Sequence, residues 1–183
     1  MASVWCSRAA ALAAALSLLQ LAGAAGAVVY RTQDEALHDA FPDADAIEPK
    51  AFVLTDAQAA RVRELAQVEL DRKIWTIHVA RKASVVQGYA VLDVRTVRTM
   101  PEALLIVLTS AGDVRSVRVL AFHEPTEYQP PPRWLAQLEG RQLGPDLQLK
   151  RDIQAIAGAT LSSQSVVRAV RTALALYQVL IQG

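Results

Sequence analysis

The strongest periodicity in the chain lies near its C-terminal end. Between Gln164 and Gln182, Val166, Val167, Val170, Leu174, Tyr177 and Ile181 recur at spacings of three and four. That spacing predicts a long helix with one apolar face. A second helix opens at Thr55-Asp56 and runs to about Leu70. Thr55 is its N-cap, Val62, Leu65, Ala66 and Leu70 its buried face, and Arg61, Arg63, Glu64 and Glu69 are mostly outside. A shorter amphipathic piece with Glu35, Leu37, His38 and Phe41 ends before Pro42. After it, Asp43, Asp45 and Glu48 read as a solvated acidic loop, since the Gly and terminal Glu of a calcium loop are missing.

Between the two longer helices the period falls to two. Ile74 to Val79 and Val85 to Leu92 are strand candidates, and Gly88 in the second marks a bulge or a close backbone approach. Ala103 to Thr109 is nearly all apolar, which predicts a central strand. Ser110 to Asp113 is a turn into Val114–Phe122, whose alternation of Val with Arg or Ser predicts one wet face. Tight turns between consecutive strands predict an antiparallel meander. The fold class is therefore α+β: an antiparallel sheet of about four or more strands packed with an N-terminal helix and a long C-terminal helix.

Gln129 to Pro132 is polyproline punctuation, and Pro131 and Pro132 open a short helix, Arg133 to Leu138. A loop from Gly140 to Leu149 follows. Ile153, Ala155 and Ile156 make a short apolar approach to the last helix. Arg168 and Arg171 are placed on that helix's exposed side, as a solvated face, with docking to an acidic partner as the other reading.

Residues 1–27 read as a secretory signal. Arg8 is the only charge before Arg31, Ala9 to Leu21 is an apolar core, and Ala25-Gly26-Ala27 is an A-x-A cleavage pattern. The competing reading is an uncleaved anchor, since Ala9 to Tyr30 reaches the ~20 apolar residues of a membrane helix. Residues 28–183 then suit one domain. The only cysteine, Cys6, falls inside the signal. The mature domain thus has no disulfide, zinc-thiolate site or iron–sulfur cluster, and a redox role requires a bound organic cofactor. Three scattered histidines, His38, His78 and His123, predict no metal site. The chain has 19 Lys and Arg against 18 Asp and Glu, and removal of Arg8 brings the two into balance. A nucleic-acid partner is not expected of such a surface.

The entry to the last helix carries the candidate chemistry. Ile156-Ala157-Gly158-Ala159-Thr160-Leu161-Ser162-Ser163 runs from small residues into a hydroxyl cluster. Ser162 or Thr160 can serve as N-cap, and the remaining first-turn N–H groups form an anion site with the helix dipole. Gly158 and Ala159 leave room near the backbone. No Gly-Lys-Ser/Thr ends the run, so it is not a P-loop, and Gly-x-Ser-x-Gly is absent.

The run Ala157 to Ser163 resembles the Ser/Thr-Gly-Ala-Thr-x-Ser/Thr-Ser motif of the FMN-binding domain family. That family includes the flavin-carrying subunits of Rnf complexes and of sodium-pumping NADH:quinone reductases. The resemblance implies FMN joined through its phosphate to Thr160 by a separate flavin transferase. It also places Gly158, Ala159, Leu161, Ser162 and Ser163 around the phosphate. Gln154 stands where the family commonly has Asp, and Ala157 where it has Ser or Thr. Gly88-Tyr89-Ala90, the Gly-Asp hairpin and Val119 to Pro125 are similar to the family's order of elements, extending the resemblance over roughly Phe41 to Tyr177. It implies that His123 to Tyr128 form a flavin wall. Glu124 would hold a backbone or ring N–H, and Tyr128 or Trp134 would stack on the ring. The other reading of that segment is an ordinary turn with Tyr128 and Trp134 packed on the sheet edge. The function implied is that of an exported, periplasmic electron carrier, possible membrane association included, working between membrane or periplasmic redox proteins. The alternatives are a non-covalent FMN binder and a colourless accessory domain of the same fold. No acid–base pair or triad marks an enzyme with its own small substrate.

Overall fold

The computed structural model describes residues 28–29 and 32–183. The N-terminal segment 1–27, with both readings of it as signal or anchor, lies outside the described residues. Among the described residues no helix is long and apolar enough to cross a membrane.

Six antiparallel strands form one sheet: β1 (Val28–Val29), β2 (Ala46–Val53), β3 (Ile74–Lys82), β4 (Val85–Thr96), β5 (Pro101–Thr109) and β6 (Val114–Phe122). Their order is β1-β6-β5-β4-β3-β2. The α+β class and the central place of the apolar strand hold. Leu104 to Leu108 of β5 are fully buried, because helices cover both faces of the sheet. Burial of each such aliphatic side chain stabilises the fold by roughly 1.5–3 kcal/mol.

α1 (Gln33–Ala40) covers one face. It starts in a reciprocal cap: Glu35 N–H donates to Thr32 Oγ1 at 3.3 Å and Thr32 N–H to Glu35 Oε2 at 3.0 Å. Leu37, Ala40 and Phe41 pack with Ala80, Ala90, Leu105 and Val107 on that side. Gly88 permits the close approach there. A Cβ on it would stand 2.4 Å from Leu108 O and 2.9 Å from the Phe41 ring.

α2 (Asp56–Ala66) and α4 (Thr160–Tyr177) cover the other face, and the short α3 (Pro132–Leu135) sits beside β6. α2 also begins in a reciprocal cap, between Thr55 and Gln58. It ends four residues before Leu70, because Gln67 turns left-handed at φ 54°. The expected apolar face of α4 is buried as far as Tyr177, and Ile181 is half-buried in a wider last turn. Its reach exceeds the pattern, however. Ala169, Arg171, Thr172, Ala173, Ala175 and Leu176 are buried too.

Two expectations are corrected. The acidic segment through Glu48 is not a loop throughout, since Ala46–Val53 forms edge strand β2. Its side chains are mostly exposed, so no alternation betrays it, and an edge strand accepts Pro49. Arg171 is not solvated. It is 4% exposed and donates to four carbonyls: Ala66 O at 2.6 Å, Gly144 O at 2.7 Å, and Leu65 O and Leu147 O at 3.1 Å. It caps the C-terminal end of α2 and ties the loop before α4 to it. Arg168, by contrast, is exposed as expected.

Candidate functional site

The turn into α4 is built on Gly158, whose φ of 81° suits a residue without a Cβ. A Cβ there would meet nothing within 4 Å, so this backbone faces open space. Ala159 N–H closes the turn on Ile156 O at 3.2 Å. The N-cap is Ala159, with no side-chain cap, which corrects the expectation of Thr160 or Ser162 in that role. Thr160 is the first helical residue and is exposed. With no capping side chain, the first-turn N–H groups keep their hydrogen-bonding capacity toward solvent or a ligand.

The candidate residues of the motif divide into two sets. Gly158, Thr160 and Leu161 face outward, and Leu161 is 48% exposed although apolar. Ala159, Ser162 and Ser163 are buried. Ser163 Oγ donates back to Ala159 O at 2.9 Å, which steadies the turn from within. An exposed threonine hydroxyl, open space at Gly158 and uncapped N–H groups together fit a phosphate.

The segment from β5 to α4 is where the comparison with known families bears. Residues 101–175 match the FMN-binding domain family. The matched segment holds Glu124, Tyr128 and the whole Gly158–Ser163 run, and it supports flavin as the ligand class. No curated protein matches the chain.

Leu161, the residue after Thr160, borders a groove of ≈ 650 Å³ that Thr160 itself does not line. Leu161, Gln164, Ser165 and Arg168 of α4 form one wall, Asp93, Arg95, Thr96 and Val97 at the end of β4 another, and Arg63 and Gln67 at the end of α2 a third. Its volume lies within the range of ordinary cofactor pockets. Asp93, 2% exposed, is neutralised by Arg95 and by Arg72 Nη2 at 2.8 Å, and Arg72 in turn lies 3.9 Å over the Trp75 ring.

Glu124 and Tyr128 do not line this groove; they support its rim. Glu124 Oε1 accepts from three successive N–H groups of the β4–β5 turn: Arg98 at 3.2 Å, Thr99 at 2.9 Å and Met100 at 3.1 Å. These bonds, that from Thr99 foremost, hold its carboxyl below the usual range. The Arg98 guanidinium lies 5.1 Å over the Tyr128 ring. Both residues thus fasten the turn that follows Thr96 and Val97. Trp134 is in the core, and its Nε1 donates to Gln154 O at 2.6 Å, so the packing reading applies to it.

The sequence reading missed Glu102. This residue of β5 is 1% exposed and lies in register with Arg95. Ser165 Oγ donates to its Oε1, and its Oε2 has no partner. Burial pushes its carboxyl up to about 7, against the pull of Ser165 and Arg95. The signal was present in the short turn between Arg95 and Glu102, which puts the two opposite each other.

Proposed function

We propose that this domain carries FMN linked by a phosphodiester to Thr160 and works as an exported electron carrier between membrane or periplasmic redox proteins. The observation that carries the reading is the exposed Thr160 hydroxyl at the uncapped start of α4, beside a cofactor-sized groove, within the segment that matches the FMN-binding domain family. The flavin supplies the redox chemistry when bound. The protein's share is to hold the phosphate at the helix start, to seat the ring against Leu161 and the β4 end, and to leave one edge open. A flavin transferase makes the link.

The test is the mass of the denatured protein after co-expression with a flavin transferase in the periplasm. An added mass of FMN less one water, on the peptide bearing Thr160, is expected, and Thr160→Ala is expected to abolish it. Flavin that stays bound to denatured Thr160→Ala protein would move the link elsewhere. Gln154 and Ala157, where the family motif commonly has Asp and Ser or Thr, feed the reading of an accessory domain without flavin. Another reading is non-covalent FMN, with the phosphate held at the helix start. It predicts a coloured protein that releases all its flavin on denaturation. A colourless, unmodified protein would point to the accessory-domain reading.

A further inference from the structure

A half-satisfied buried carboxyl stands directly behind the groove. Glu102 is almost wholly enclosed, and one of its carboxylate oxygens has no partner. Its other oxygen receives the Ser165 hydroxyl, and Ser165 lines the groove. The neighbouring groups are few. From β4 come Arg95 and Asp93, from α4 comes Ser165, and from β6 comes the apolar register partner Phe122. Arg95 spends its charge on Asp93, which Arg72 also pairs, and Arg95 Nε is itself buried without a partner. No cation is therefore dedicated to Glu102. A carboxylate in such a place costs several kcal/mol unless it takes up a proton.

We propose that Glu102 and Ser165 form a proton-dependent hydrogen-bond switch in the wall of the flavin groove. When Glu102 is ionised, the Ser165 proton is committed to it and Oγ turns a lone pair toward the groove. When one proton from solvent adds to the carboxylate, the acid O–H donates to Ser165 Oγ. The hydroxyl proton of Ser165 is then released to point into the groove. One proton is taken up, no bond other than hydrogen bonds changes, and the groove exchanges an acceptor for a donor. The high proton affinity of Glu102 puts this exchange near neutral pH. Glu102 is a positioning residue here, acting through Ser165.

The switch rests on the proposed groove as the flavin's seat. An isoalloxazine edge presents more carbonyl oxygens and unprotonated ring nitrogens than N–H groups. The donor state, at lower pH, should therefore bind it better. One net hydrogen bond gained corresponds to about five-fold in affinity.

The experiment uses the full chain purified without flavin, labelled with ¹³C at glutamate carboxyls. Riboflavin is the probe, since it lacks the titrating phosphate of FMN. Wild-type protein should bind riboflavin about five-fold more tightly at about pH 5.5 than at about pH 8.5. Glu102→Gln and Ser165→Ala should both bind with no such dependence. The Glu102 carboxyl resonance should titrate near neutrality in the wild type and still titrate there or higher in Ser165→Ala. A Glu102 carboxyl that titrates in the ordinary glutamate range overturns the switch, whatever riboflavin does. A pH dependence that survives in Ser165→Ala overturns it as well. No riboflavin binding by any of the three proteins at any pH overturns the groove as flavin site, and the role of the switch with it.

Discussion

The two ends of α4 are built on opposite principles. Toward the C-terminal end the Thr172 and Tyr177 hydroxyls find fixed partners. Tyr177 Oη donates to Ser110 O at 3.1 Å, and its ring lies 5.2 Å from that of Tyr89. Midway, Arg171 spends its donors on four carbonyls. At the N-terminal end the first turn has no side-chain cap, Leu161 is left in solvent, and Glu102 beneath Ser165 is half satisfied. The difference is between anchorage and availability. A helix that is pinned along its length can leave its first turn unsatisfied, because local strain there does not unravel the rest.

The comparison breaks most severely at Arg171. Arg171→Ala leaves four carbonyls without their donor and a void under α2. It should cost about 3–5 kcal/mol, read as a lower urea midpoint. An unchanged midpoint would show that the anchorage lies elsewhere.

Glu102 sharpens the contrast through pH. Burial makes its folded carboxyl hold a proton up to about 7, well above the ordinary glutamate range. Its contribution to stability is thus complete below the unfolded value and is lost as pH rises through 7. The loss is on the order of 3 kcal/mol. Glu102→Gln stays neutral, so it should match the wild type near pH 4 and exceed it near pH 8 in urea denaturation. Glu124 works in the opposite sense. Its lowered carboxyl favours the fold above the ordinary glutamate range and loses that effect as pH falls. Each comparison is therefore made between variant and wild type at one pH.

Tyr177→Phe removes a single hydrogen bond at the anchored end and should cost about 1 kcal/mol, measured by thermal or urea unfolding. Thr160→Ala at the open end should change stability by no more than about 0.5 kcal/mol, while removing the proposed flavin link. A large loss of stability in Thr160→Ala would mean that the open end is structural after all.

The sequence announced the elements whose signals are local. Six apolar positions traced α4, unbroken hydrophobicity put β5 at the centre, and tight turns ordered β3 to β6. The Gly158–Ser163 run could be read because its small and hydroxyl residues are contiguous. What remained hidden depends on partners far along the chain. Arg171 looks like a surface charge until the carbonyls of Leu65 and Ala66 are brought to it. The Glu102–Ser165 pair joins residues on two different elements. β2 escaped because an edge strand with both faces wet has no alternation to show. The capping residue was misjudged because hydroxyls near a helix start look alike in sequence, whereas the turn at Gly158 decides where the helix begins.

The position of α4 in the chain has a consequence for how the protein comes into being. The main covering of one sheet face is supplied by a helix that follows all six strands in the chain. Until residues 160–177 are present, Leu104, Ile106 and Leu108 have no α4 to pack against. The strands are complete well before that point, yet their larger core cannot close. Folding of this half therefore waits for residues 160–177, and a chain cut before them would display a sticky apolar sheet. The same late event assembles the Thr160 turn, so the attachment site and the finished core arise together.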